Sequence, residues 1–189
     1  MIDLVYPPKV AETLRGAEGG KAAEMLPVVE TSGLVTAQAS RDFCHSGSMA
    51  MHPVVHMHIL NRSGRLYIQR RSASKSLYPL RWDTAVGGHV NYGEQILEAL
   101  SREAGEELRI FDFNPVSIDS YVNESETEKE LVNVFAIVGD FKPLPDADEV
   151  CEGRFWGIEE IEENIGKEIF TPNFEYEFKR VKAKLLALL

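Results

Sequence analysis

The densest chemical signal in this chain is a run of carboxylates and one arginine at helical spacing. Residues 88–110 read Gly-His-Val-Asn-Tyr-Gly-Glu-Gln-Ile-Leu-Glu-Ala-Leu-Ser-Arg-Glu-Ala-Gly-Glu-Glu-Leu-Arg-Ile. Leu97, Leu100, Ala104 and Leu108 recur at the interval that gives one apolar face, so 94–108 predicts an amphipathic helix. Residues three and four apart on a helix are neighbours, which places Glu103, Glu106 and Glu107 on one side within a sector of about 100°. Three clustered carboxylates repel one another unless a hard, oxygen-seeking cation sits among them, and that favours Mg²⁺ or Mn²⁺. Ions held this way contact phosphate oxygens and orient an attacking water. Glu94 precedes Glu98 by four and Glu98 precedes Arg102 by four, so the arginine is placed to order the acidic row by charge pairing.

The whole pattern resembles the Nudix box: Gly88, five residues, Glu94, seven residues, then Arg102-Glu103-Ala104-Gly105-Glu106-Glu107-Leu108. One fixed position departs from it, because the final glycine of the box is Arg109 here. A glycine just past a helix commonly adopts the left-handed conformation, which costs another L-residue on the order of 1 kcal/mol. An altered helix end is therefore expected, with the fold kept. The resemblance implies an α/β/α sandwich with a mixed sheet between helices. It also implies hydrolysis of a diphosphate linkage in a small, nucleotide-like substrate, with Glu103, Glu106 and Glu107 as metal ligands and Arg102 in support. Gly88 is expected at the substrate, as in a pyrophosphatase of this type.

A second resemblance overlaps the first. Trp82-Asp-Thr-Ala-Val-Gly87-Gly88-His89 is similar to the tryptophan-led strand of type 1 isopentenyl-diphosphate isomerases, which share the Nudix fold. Their catalytic cysteine falls at Gly87, and an isomerase needs an acid against its apolar substrate. Glycine offers none, so hydrolysis is favoured, with isomerisation as the alternative and a catalytically silent ligand-binding domain as a third reading. The same likeness implies a second divalent metal held by His45, His52, His89, Glu128 and Glu130, a donor set that suits a transition metal. Plain structure competes with that reading: His52, His56 and His58 alternate along one strand, as residues facing partners or solvent do.

On the substrate side, Arg70 and Arg71 end a strand and Lys75 follows in the next loop. In the related isomerases this cluster meets the diphosphate, and arginine forks match phosphate oxygens in pairs. Tyr78, Trp82 and Tyr92 are candidates to stack on a base or prenyl group, although rim or core packing suits each of them equally.

The elements that must position these residues follow from pattern. Residues 26–30 and 34–38 flank a Thr-Ser-Gly turn, and 52–60 and 65–70 flank Asn-Arg-Ser-Gly, so two hairpins are predicted. Strands are expected at 82–90, 110–122, 130–138 and 153–158, and a last helix at 172–189 with Thr171 as its N-cap. Residues 1–26, rich in Gly, Pro and charge, are expected to form an irregular arm ahead of a single domain at 27–189. The net charge of −10 gives no basic footprint for a nucleic acid polymer or an anionic membrane. Two cysteines suit a reducing, cytoplasmic setting, and no stretch is apolar enough to span a membrane. A homodimer is compatible with all of this.

Overall fold

The computed structural model describes residues 2–8, 12–14, 24–75, 77–145 and 150–189. Much of the arm expected at 1–26 lies outside them. The described part carries a short strand, β1 (Thr13–Leu14), which pairs in parallel with β3 (Val35–Ser40). Between them in sequence is β2 (Met25–Val29), antiparallel to β3 across the predicted turn. Gly33 takes φ +88° there, and a Cβ on it would come within 2.4 Å of the Asp3 carbonyl oxygen, so both the turn and the close approach require glycine.

The chain continues through α1 (Arg41–Cys44), β4 (His52–Leu60), β5 (Leu66–Arg71), β6 (Trp82–Asp83), β7 (Val86–His89), α2 (Ile96–Leu108), β8 (Val116–Glu124), β9 (Lys129–Val138), β10 (Val150–Trp156), α3 (Ile158–Asn164) and α4 (Pro172–Leu186). A seven-stranded sheet runs β10-β5-β4-β9-β8, with β6 on β5 and β7 on β4. The architecture is α/β with helices against mixed strand pairing, as expected. Three details differ from expectation. Residues 110–115 are not strand, because Asp112 takes φ 54° and Pro115 has no N–H to give a ladder. The 82–90 strand breaks into β6 and β7 around Thr84 and Ala85. Helices α1 and α3 were not anticipated: α1 has only four residues, too few to show a period, while Ile158, Ile161 and Ile165 do recur at helical spacing through α3.

The described residues cluster into two compact units, one of Met1–Val55, Gly88–Leu100 and Asp119–Asn133, the other of His56–Gly87, Ser101–Ile118 and Val134–Leu189. β4, β7, β8, β9 and α2 contribute to both. The first unit has a small core of Leu26, Ala39 and Cys44. In the second, the layers follow from strand alternation. Trp82 pairs with Arg70 and Trp156 with Leu66, so both tryptophans share the even-numbered face of β5. Trp156 packs on Trp82 and Phe170, and the aromatic stack continues through Phe174 to Phe178 of α4. Gln69 points the other way, to Glu107 of α2. The helices α2 and α4 thus cover opposite faces of β5. Thr171 caps α4 by accepting from the Phe174 N–H, as its sequence position predicted.

Candidate active site

Helix α2 opens with one half of a capping box. The Glu98 carboxylate accepts from the backbone N–H of Gln95, while the Gln95 amide pairs with both backbone groups of Leu4. Glu94 bonds the Asn91 N–H and so closes the turn before the helix. Farther along, Arg102 donates to Glu103 (2.7 Å) and, one turn on, to Glu106 (3.2 Å). Glu107 is buried and accepts from the Gln69 amide at 2.9 Å. Glu103 is mostly covered and Glu106 is exposed. The helix therefore presents two carboxylates joined by one guanidinium and a third fixed from the strand below it.

Helix α2 ends at Arg109 with φ 54°, closing through Arg109 N–H to Gly105 O and Ile110 N–H to Ala104 O. The altered helix end expected from the missing glycine does not occur. Arginine adopts the left-handed conformation itself, because the tertiary path to buried Ile110 demands that turn.

In the first unit, His45, His52, His89, Glu128 and Glu130 come together from five places in the sequence. His45 caps the C-terminus of α1, His52 begins β4, His89 ends β7, Glu128 closes the turn after β8 and Glu130 lies in β9. The turn is held by Ser125, whose hydroxyl accepts from the Glu128 N–H, and Gly47 N–H on the loop after α1 bonds the Thr127 carbonyl. His45 contacts Glu128 through Nδ1 and lies 3.0 Å from His89 Nε2 through its other ring nitrogen. Asn123 donates to Glu130. Ligand atoms of His45, His52 and His89 lie within 4.8 Å of one another, as do those of His52, Glu128 and Glu130. Among the described residues these are the groups that close, and the three α2 carboxylates do not form one.

His52 decides whether the cluster fits a cation. Its Nδ1 is tied to the Ala50 carbonyl at 3.0 Å, so its Nε2 carries a lone pair that points into the cluster. That Nε2 is buried with no hydrogen-bond partner among the described residues. Burial also pushes the imidazole below its ordinary pKa, against the pull of the Ala50 carbonyl and Glu130. Glu128 is held below the usual carboxylate range, chiefly by its hydrogen bond from His45. Neutral imidazole, ionised carboxylate and an orphaned buried nitrogen are the states a divalent metal needs.

The anticipated substrate cations are engaged. Arg70 donates to the Leu80 carbonyl and lies 3.7 Å from Glu152, while Arg71 donates to the Leu77 carbonyl and to Asp83. Both clamp the loop at 77–80, whose Tyr78 and Leu80 have positive φ. Lys75 sits half-buried in the same loop, and Gly88 lies half-buried in β7. Trp82 is core, Tyr92 packs edge-on against Tyr6, and Tyr78 lies under Arg81. Two partners went unread in the sequence. Gln69 had no signal beyond being polar in an apolar strand. Glu177 had one, for it falls on the buried stripe of α4 with Phe174, Phe178, Val181 and Leu185.

An α/β fold whose middle helix carries Arg-Glu and Glu-Glu three residues apart, behind a glycine-led loop, defines a recognisable class. Residues 50–174 match the NUDIX domain, and the chain belongs to that family. It is 34% identical over 136 residues to an uncharacterised Nudix hydrolase of Nostoc, covering 70% of this chain and 79% of that one. It is 30% identical over 142 residues to an isopentenyl-diphosphate Delta-isomerase of Photorhabdus laumondii, covering 71% and 81%. A Deinococcus radiodurans protein of known structure superposes with a TM-score of 0.72 at 26% identity, covering 84% of this chain and 99% of that one. No helix among the described residues is long and apolar enough to cross a membrane.

Proposed function

We propose that this protein is a metal-dependent hydrolase that cleaves a diphosphate linkage in a small, nucleotide-like phosphorylated substrate. The observation that carries this reading is the layout of α2, where Glu107 is buried and aimed by Gln69 while Arg102 draws Glu103 and Glu106 together. Glu103, Glu106 and Glu107 would hold Mg²⁺ or Mn²⁺, with one of them or a later glutamate taking a proton from the attacking water. Such a cation supplies positive charge to phosphate oxygens as the bridging P–O bond breaks. Arg102 limits the mutual repulsion of Glu103 and Glu106. His45, His52, His89, Glu128 and Glu130 would hold a second divalent ion, and Gly88, Arg70, Arg71 and Lys75 would border the substrate.

The convergence of those five residues, together with the Photorhabdus relative, favours a second reading as an isopentenyl-diphosphate isomerase-like enzyme. Gly87 argues against it, since that strand position brings no acid or thiol. One experiment separates the two. Nucleoside diphosphate-linked compounds, dinucleoside polyphosphates and isopentenyl diphosphate are incubated with Mg²⁺ or Mn²⁺ and scored for released phosphate or pyrophosphate. Hydrolysis predicts release from a nucleotide-like compound. Proton exchange into isopentenyl diphosphate without release would instead establish the isomerase.

A further inference from the structure

The buried amide of Gln69 is only half used. Gln69 is 8% exposed, and its Nε2 donates to the Glu107 carboxylate at 2.9 Å. A carboxylate accepts, and of the two amide atoms only the nitrogen donates, so this contact fixes which way the amide faces. Its oxygen, on the same carbon, therefore stands beside Glu107. That Oε1 is buried with no hydrogen-bond partner among the described residues. A buried acceptor left bare costs free energy, which is why nearly all such groups are paired.

The neighbouring strands do not supply the missing donor. Gln69 pairs with Asp83 of β6 on one edge and with Gly153 of β10 on the other. Paired residues share a face of the sheet, so these are the cross-strand neighbours of the amide. Asp83 is an acceptor already engaged by the Arg71 guanidinium, the Thr171 hydroxyl and the Thr84 N–H. Gly153 has no side chain, and a Cβ on it would run into the Tyr67 hydroxyl, which fills that space without bonding to Gln69.

We propose that Gln69 is a positioning residue of the α2 cation site, joining Glu107 to a water in the cation's shell: Nε2–H holds the carboxylate while Oε1 accepts from that water. This rests on the metal-dependent reading above. The donor chemistry fits, because a hard divalent ion such as Mg²⁺ takes oxygen ligands and keeps several waters, whose O–H groups are what a bare amide oxygen lacks. Side chains one layer out from the ligands orient them in this way. The residue type follows as well. A glutamate at 69 would set a second carboxylate against Glu107, and an apolar residue would bond neither partner.

The test is carbon NMR of the side-chain Cδ atoms in the intact chain, which has three glutamines. Both amide atoms of Gln95 are satisfied by Leu4, and Gln38 donates to Thr13 at the surface, so these two serve as references. Saturating Mg²⁺ is expected to shift the Glu107 Cδ and to move the Gln69 Cδ downfield, with Gln38 and Gln95 still. If Glu107 moves and Gln69 stays, Oε1 is satisfied by a structural water alone, and the proposal falls while the metal reading stands. If Glu107 stays at every Mg²⁺ concentration, α2 binds no cation and both fall. Gln69→Met keeps the length of the side chain and loses both polar atoms. In a His52→Ala background, which removes the other proposed metal site, it is expected to weaken Mn²⁺ binding about tenfold with an unchanged circular dichroism spectrum. An Mn²⁺ affinity within about twofold of the parent overturns the proposal.

Discussion

Arg109 makes the structure testable through a sign. Its φ of 54° places a non-glycine residue in the left-handed region at the end of α2, a conformation costing an L-residue roughly 1–2 kcal/mol. Replacing it by glycine relieves that cost, but glycine loses roughly 0.5–1 kcal/mol more conformational freedom on folding. The arginine side chain makes its own interactions, so the informative comparison is Arg109→Gly against Arg109→Ala, both of which delete it. The difference isolates the backbone: glycine should be more stable than alanine by about 0.5–1 kcal/mol. For a chain of this length that is a Tm higher by about 1–4 °C, with a matching rise in the urea midpoint at unchanged slope. At an ordinary right-handed helical position the order inverts, and alanine wins by roughly the same amount. Finding alanine the more stable variant would refute the left-handed ending of α2.

Four further outcomes follow from the sites. Glu107→Gln keeps an oxygen for Gln69 to donate to, so the fold should survive while turnover falls at least about a hundredfold, read as kcat beside an unchanged circular dichroism spectrum. Mn²⁺ at about a hundred times its Kd for the His/Glu cluster should add about 2.7 kcal/mol of unfolding free energy, and His52→Ala should abolish that gain in a thermal melt. In EDTA, the depressed pKa of His52 gives stability that is complete above its ordinary value near 6.5 and lost as pH falls through the folded value; that of Glu128 does the same below about 4.3. Urea melts of His52→Gln and Glu128→Gln should lose those two acid limbs separately. Finally, burial raises the Cys44 thiol to about 11 while Cys151 is exposed, so iodoacetamide at neutral pH should modify one cysteine in the native chain and two in urea.

Local pattern alone was enough to place α2, because an apolar period and a charged row are both properties of consecutive residues. The first and second hairpins and the Thr171 cap are local in the same sense, each resting on residues within a few positions of one another, whereas Arg102, expected to pair back toward Glu98, reaches Glu103 and Glu106. Asp112 and Pro115 broke a strand that pattern extended too far, since apolar content does not report backbone conformation. The partners of the chemical groups were a different matter. Gln69 meets Glu107 across 38 residues and His56 meets Glu177 across 121, and neither spacing carries a period that a reader of the chain can use. The positive φ of Arg109 was likewise set by the path to buried Ile110 and not by arginine's own preference, which opposes it. Residue type and spacing determined which chemistry the chain can attempt. Tertiary packing decided which nitrogen carries the lone pair and which carboxylate is buried, because those depend on burial and on partners that only the folded chain brings within hydrogen-bond reach.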